Sequence, residues 1–313
     1  MNNWKILISD GLAENGQTIL RDAAPLDDRT GISTAELLDI VGKYDALIVR
    51  SRTKVTASLL DAATNLKVVG RAGVGVDSID LEAAKAHNVT VVNSPMATSI
   101  AVAEHTFGLM LSLARHIPRA DATMKAGEWA KKQLRGSELH DKTLGIIGMG
   151  RIGSELGRRA AAFGMTVLGY DPFLDDEAIR ARGAEPVDLD GIYTRSHYIS
   201  LHVPLTNDTR DMIDSATLNQ MQPGTRLVCA ARGGVINEAD LLTALQSGHI
   251  AGAALDVFSQ EPPGATPLVT HPNLVATPHI GAQTAESQAR AAEHIATEVL
   301  AALAGNDLRW RVV

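Results

Sequence analysis

Three polar residues are of types that could share one reaction: Arg232 in CAARGG, Glu261 in LDVFSQEPP and His279 in TPHIGA. Removing hydride from a carbinol beside a carboxylate needs a base for the hydroxyl proton, a cation for the carboxylate and a group that orients the base. Imidazole titrates near neutrality, guanidinium grips a carboxylate through a bidentate fork, and a carboxylate can hold the second imidazole nitrogen. Each residue also has a plainer reading. Arg232 could be a surface charge, Glu261 a turn residue before Pro262-Pro263, and His279 one of 10 histidines. No metal site is expected.

A hydride acceptor is indicated by residues 143–171, TLGIIGMGRIGSELGRRAAAFGMTVLGYD. An apolar run that reads as a buried strand leads directly into Gly148-x-Gly150-x-x-Gly153, and a helix is predicted over 154–163. Gly148 permits the tight turn, Gly150 lets backbone approach a pyrophosphate, and Gly153 allows close helix–strand packing. A second apolar run ends at Asp171, placed to accept hydrogen bonds from ribose hydroxyls and to favour NAD over NADP.

These elements need a scaffold. The 313 residues exceed the ~250–300 at which a single core stops growing, so two domains are expected. Hydrophobic residues are 45% and charged residues 21%, as in globular domains. A net charge of −7 without a basic block argues against nucleic acid or an anionic membrane as partner. The apolar stretch 100–117 is broken by Glu104, His105, Arg115 and His116, so it fails as a membrane span, and the first ten residues do not resemble a secretory signal. Cys229 is the sole cysteine, which excludes a disulfide within the chain and suits a reducing cytoplasm.

Apolar runs at 5–9, 45–51, 66–70 and 90–93 alternate with helical patterns at 33–41, 56–62 and 79–87, the signature of a small doubly wound domain. Ligands of such sheets gather at the carboxyl ends of strands, which points to the loop of Arg50 and Arg52 and to the loop of Arg71, Gly73, Val74 and Gly75. A glycine-rich turn opening with a cation suits an anion. A helix over 99–115, stopped by Pro118, leads to an arm at 118–141. There Trp129 amid Lys131, Lys132 and Arg135 suggests a subunit contact and a homodimer. Runs at 198–203, 226–230, 251–256 and 274–277 then alternate with helices at 188–195, 215–220 and 238–247, and a last helix at 285–303 is long enough to return to the first domain. The fold class is therefore α/β, two doubly wound parallel sheets, with a substrate domain of residues 1–97 plus 288–313 and a dinucleotide domain of 98–287.

VGRAGVGVDSIDLEAA, DKTLGIIGMGRIG, FGMTVLGYDP, ARGGVINEADLLTAL, AGAALDVFSQEPP and TPHIGAQT together resemble the D-isomer-specific 2-hydroxyacid dehydrogenases over nearly the whole chain, most of all the branch acting on 3-phosphoglycerate. The resemblance implies a Rossmann NAD-binding domain, a smaller flavodoxin-like substrate domain and a small 2-hydroxy or 2-oxo acid as substrate. It carries the substrate arginine onto Arg232, the orienting carboxylate onto Glu261 and the acid/base onto His279. Cofactor contacts fall on Arg151, Ile152, Asp171, Val203, Ala230, Ala231, Arg232, Asp256, His279, Gly281 and Ala282. Arg52 and Arg71 are expected to hold the substrate phosphate, with an arm cation completing that site across a dimer. The chain departs from the family at Cys229, usually Asn, at Ser196-His197, usually Cys-Asp or Ser-Asp, and at Val74, often polar. With the sequence ending at Val313, serine feedback through an appended regulatory domain, as in longer members, is not expected. The alternatives are another small D-2-hydroxy acid (glyoxylate, hydroxypyruvate or sulfolactate) and, of another class, an NAD-sensing corepressor-like scaffold.

Overall fold

The computed structural model describes residues 4–313; Met1, Asn2 and Asn3, part of the expected first domain, lie outside the described residues. The chain opens β1 (Ile6–Ile8), α1 (Glu14–Ala23), β2 (Leu26–Asp28), α2 (Thr34–Ile40), β3 (Ala46–Val49), α3 (Ala57–Ala62), β4 (Val68–Arg71), α4 (Leu81–Ala86) and β5 (Thr90–Asn93). Helices α5 (Ser99–Arg115) and α6 (Ile117–Lys125) precede β6 (Thr143–Ile147), α7 (Arg151–Ala162), β7 (Thr166–Tyr170), α8 (Asp176–Ala181), β8 (Glu185–Pro186) and α9 (Leu189–Arg195). β9 (Tyr198–Leu201), α10 (Ser215–Gln220), β10 (Thr225–Cys229), α11 (Glu238–Ser247), β11 (Ile250–Leu255), β12 (Leu274–Ala276) and α12 (Ala285–Ala304) complete it. The chain divides into two units, Met1–Ser99 with Ala282–Val313, and Ile100–Gly281. The sequence reading puts the crossings at 97/98 and 287/288.

In the first unit five parallel strands run β2-β1-β3-β4-β5, the flavodoxin-like order. β1 and β3 are fully buried and correspondingly apolar. The edge strand β2 is Leu-Asp-Asp, which explains why no apolar run announces it. Helix α12 packs on this sheet through Ile295, Ala296 and Val299, and the C-terminal tail bonds back to β5 through Val91. Buried Glu298 accepts the amides of Arg309 and Trp310.

The second unit is a parallel sheet of order β12-β11-β10-β9-β6-β7-β8. The order reverses between β6 and β9, the Rossmann arrangement whose ligand crevice lies outside the carboxyl ends at that reversal. Helix α5 lends it Ala103, Met110 and Ala114. Pro118 does not stop α5, contrary to the sequence expectation. The helix ends at Arg115, His116 turns left-handed at φ 53°, and Pro118 sits in the first turn of α6, where its missing N–H costs nothing. Among the described residues no helix is long and apolar enough to cross a membrane.

Candidate active site

β6 ends at Ile147, and Gly148 then turns the chain with φ +96°; a Cβ there would lie 2.5 Å from the His202 carbonyl. Gly150 is the N-cap of α7, so the helix starts at Arg151, earlier than the spacing predicts. A Cβ added at Gly150 would meet nothing within 4 Å, whereas one at Gly153 would lie 2.2 Å from the Gly148 carbonyl. The helix is thus tucked against the turn while its amino end stays open, a cradle that fits a pyrophosphate. Asp171 follows β7; its carboxylate accepts the amides of Met149 and Phe173, each at 3.0 Å, and retains lone pairs for ribose hydroxyls. Arg151 is exposed, and Ile152 and Val203 are half-buried beside this turn and the end of β9.

At the carboxyl ends of β10, β11 and β12 the chemistry-bearing residues converge. His279 has φ 55°, a left-handed conformation uncommon outside glycine, and its Nδ1 lies 2.8 Å from Glu261 Oε2. Glu261 Oε1 accepts the Phe258 amide at 3.1 Å, which fixes the carboxylate from its other side. Arg232 donates from Nη1 to the Ala231 carbonyl at 2.6 Å, and Ala230 beside it is buried. A Cβ at Gly233 would lie 1.9 Å from the Phe258 carbonyl, so the Arg232 turn rests directly on the segment that orients Glu261.

Asp256, expected as a cofactor contact, is 1% exposed, and what the structure shows it doing is holding the loop that carries His279. Its carboxylate accepts from Thr277 Oγ1 at 2.6 Å, Ile280 N–H at 2.9 Å and Gly281 N–H at 2.8 Å, with His105 Nε2 at 3.3 Å. Burial, the largest single influence, would raise its pKa; hydrogen bonds from His105, Thr277, Ile280 and Gly281 together outweigh it and keep the carboxyl below the usual range. His105 is a partner that sequence reasoning missed; an imidazole inside an apolar helix was the available signal. Burial pushes the Cys229 thiol up, so it stays protonated and inert at neutral pH. Ala282 begins the segment assigned to the first unit.

In the first unit the two arginines of the loop after β3 have different surroundings. Arg52, expected to hold a substrate phosphate, is tied to the Ser9 and Ile32 carbonyls at 2.6 and 2.8 Å and to Asp10 at 3.1 Å. Asp10 is the buried hub of that turn: desolvation would raise its pKa, but bonds from Thr53 and Arg50 and the Arg52 charge bring it below the usual carboxylate range. Arg50 instead lines a cavity of about 230 Å³ with Gly11, Ala72 and Gln288, at the carboxyl ends of β1, β3 and β4. That is the reversal point of this sheet. Half-buried Arg71 donates to the Ala72 carbonyl at 2.8 Å and lies so close over Gly73 that a Cβ there would sit 2.1 Å from Nη1. Asn93 holds the Val74 carbonyl at 2.7 Å, Val74 is 37% exposed, and Gly75 is half-buried. Lys131, Lys132 and Arg135 are exposed in the arm.

Residues 107–281 match the family model described as "D-isomer specific 2-hydroxyacid dehydrogenase, NAD binding domain". The chain belongs to the D-isomer-specific 2-hydroxyacid dehydrogenase family. The matched residues make up the seven-stranded unit that carries the glycine turn and Asp171, and the cofactor of this domain is NAD. Family relatives include D-3-phosphoglycerate dehydrogenases of Synechocystis sp., 45% identical over 308 residues, and of Methanocaldococcus jannaschii, 47% identical over 302. These alignments take in 98% and 96% of the chain, which spans only 56% and 58% of those relatives' lengths. Among family structures, a D-lactate dehydrogenase from Aquifex aeolicus complexed with NAD and lactic acid superposes with a TM-score of 0.83 at 30% identity, over 96% of each chain.

Proposed function

We propose that the protein is an NAD-dependent oxidoreductase that interconverts 3-phospho-D-glycerate and 3-phosphohydroxypyruvate, the first step of serine synthesis. The observation that carries this reading is the His279–Glu261 pair at 2.8 Å, set at the strand ends beside the Arg232 turn. With Nδ1 donating to Glu261, His279 presents Nε2 to take the substrate hydroxyl proton and to return it in the reverse direction. Arg232 holds the substrate carboxylate and so aligns the carbinol. When bound, NAD supplies the hydride acceptor. The Asp171 carboxylate would pair with the ribose hydroxyls of NAD and repel a 2′-phosphate, which favours NAD over NADP.

Arg50 and Arg71 are assigned the substrate phosphate, each charge-assisted bond contributing about 1.5–3 kcal/mol. The Arg52–Asp10 ion pair favours, as the second reading, an unphosphorylated D-2-hydroxy acid such as glycerate or lactate. The exposed arm supports a homodimer, and a single buried cysteine suits a cytoplasmic setting. Nicotinamide absorbance with a panel of D-2-hydroxy acids, run with NAD and with NADP, tests the assignment. Expected are the highest kcat/KM for 3-phosphoglycerate with NAD, and a loss for that substrate alone in Arg50→Ala. Preference for glycerate or lactate would overturn the substrate, and no turnover of any acid would overturn the oxidoreductase.

A further inference from the structure

The seven-stranded unit has a second concavity, of about 350 Å³, lined by the first residues of β10, β11 and β12, the end of α5 and the start of α6. The cofactor turn, Asp171, Arg232 and His279 all follow carboxyl ends of strands. In a parallel sheet with ~3.3 Å per residue, a five-residue strand such as β10 separates the two edges by roughly 16 Å. The cavity therefore belongs to neither the cofactor nor the hydride chemistry.

Its polar wall is positive. Arg226, Arg119, His116 and His271 line it, with no aspartate or glutamate in the lining. Neither arginine is neutralised by an ion pair among the described residues. Arg226 lies over the Tyr198 ring, 5.5 Å from its centroid, which steadies the guanidinium and leaves its charge intact. Arg119 donates to the neutral Gln133 side chain at 3.2 Å. His271 Nδ1 accepts the Asn273 amide at 3.2 Å, so the neutral ring carries its proton on Nε2 as a further donor. His116 heads α6 without a side-chain cap, leaving the positive end of a nine-residue helix beside the same wall. The potential is also felt nearby: the His197 proton affinity is lowered by burial first and then by Lys142 and Arg226. Leu113, Leu274 and Val275 give the remaining wall an apolar side that a bare ion would not use.

We propose that this cavity is a second anion site, which takes a small phosphate monoester with its phosphate between Arg226 and Arg119 and its carbon skeleton against Leu113 and Val275. The test is calorimetric titration of the full chain with inorganic phosphate, with NAD saturating so that the glycine turn is filled. Saturable binding is expected in the wild type and in Arg50→Ala, weakened about tenfold or more in Arg226→Gln and in Arg119→Ala. Glycerol phosphate should bind more tightly than phosphate alone. Arg119 is exposed, so its variant keeps the test valid if Arg226→Gln fails to fold. Absence of saturable binding, wild-type affinity in Arg119→Ala, or loss in Arg50→Ala would each overturn the proposal.

Discussion

His279 has one ring nitrogen on Glu261, so a proton can move only through the other, and a residue that cannot accept it should stop turnover without disturbing the cofactor cradle. His279→Asn is expected to lower kcat by about 10²–10⁴ while NAD affinity, read by fluorescence titration, stays at the wild-type value. Normal turnover in that variant would refute the proton-transfer role. Arg232, Glu261 and His279 are legible as types at strand ends, whereas the different surroundings of Arg50 and Arg52 are not. Two arginines two residues apart look alike until Asp10 is seen to take one of them. A second residue-level consequence concerns acid stability. His202 is half-buried as a residue, but its Nδ1 is sealed from solvent, Nε2 pairs with Ser200 at 2.9 Å, and burial pushes its pKa from 6.5 down to about 4. Between those values the unfolded chain holds a proton that the folded chain refuses. Stability therefore rises with pH across the window and falls, by on the order of 3 kcal/mol in all, as pH drops through it. Denaturation midpoints measured from pH 6.5 to 4 should slope less in His202→Asn, with His197 and His294, both lowered chiefly by burial, and near pH 4 the lowered carboxyls of Asp10 and Asp256, supplying the residual slope. An unchanged slope would remove His202 from the account.

Helix α12 crosses α1 and β4 at very short range, and small residues permit it. A Cβ at Gly16 would lie 2.6 Å from the Ala292 carbonyl, and one at Gly70 would lie 2.5 Å from Val299 Cγ2. The obstacle at Gly16 is backbone, which cannot swing aside, so Gly16→Ala should destabilise by about 1–3 kcal/mol. Gly108, exposed on α5 with nothing within 4 Å of a Cβ, is the internal control: Gly108→Ala should stabilise by up to about 1 kcal/mol. Thermal unfolding of the two variants should move in opposite directions, and a shared direction would contradict the packing account. The same region shows where sequence stopped being informative. α1 and β2 carry no apolar run, since α1 buries only Gly16 and Leu20 and β2 is an edge strand with two aspartates. β8, a two-residue edge of Glu-Pro, was silent for the same reason. Strands buried on both faces must be apolar, and β1, β3, β4, β5, β6 and β9 to β11 were visible because of it.

What a single chain leaves uncovered bears on assembly. Helix α6 buries none of its nine residues, although a helix that short gains most of its stability from packing an apolar face. Ile117, Met124 and Trp129 are 50%, 56% and 78% exposed along this one segment, next to Lys131, Lys132 and Arg135. Clustered large apolar side chains rimmed by charge mark an interaction surface, and a large exposed indole at its centre is the residue type that anchors one. In a homodimer built on the arm, these side chains would be covered by the second copy, and α6 would gain the packing it lacks alone. Light scattering on the eluting protein should therefore give twice the 33.2 kDa chain mass for the wild type. Trp129→Ser combined with Met124→Lys should give the single-chain mass, because a cation buried without a partner opposes association. Helical content is expected to drop slightly as α6 frays. A wild type that elutes as a monomer, or a double variant that keeps the dimer mass, would show that the arm is not the subunit contact.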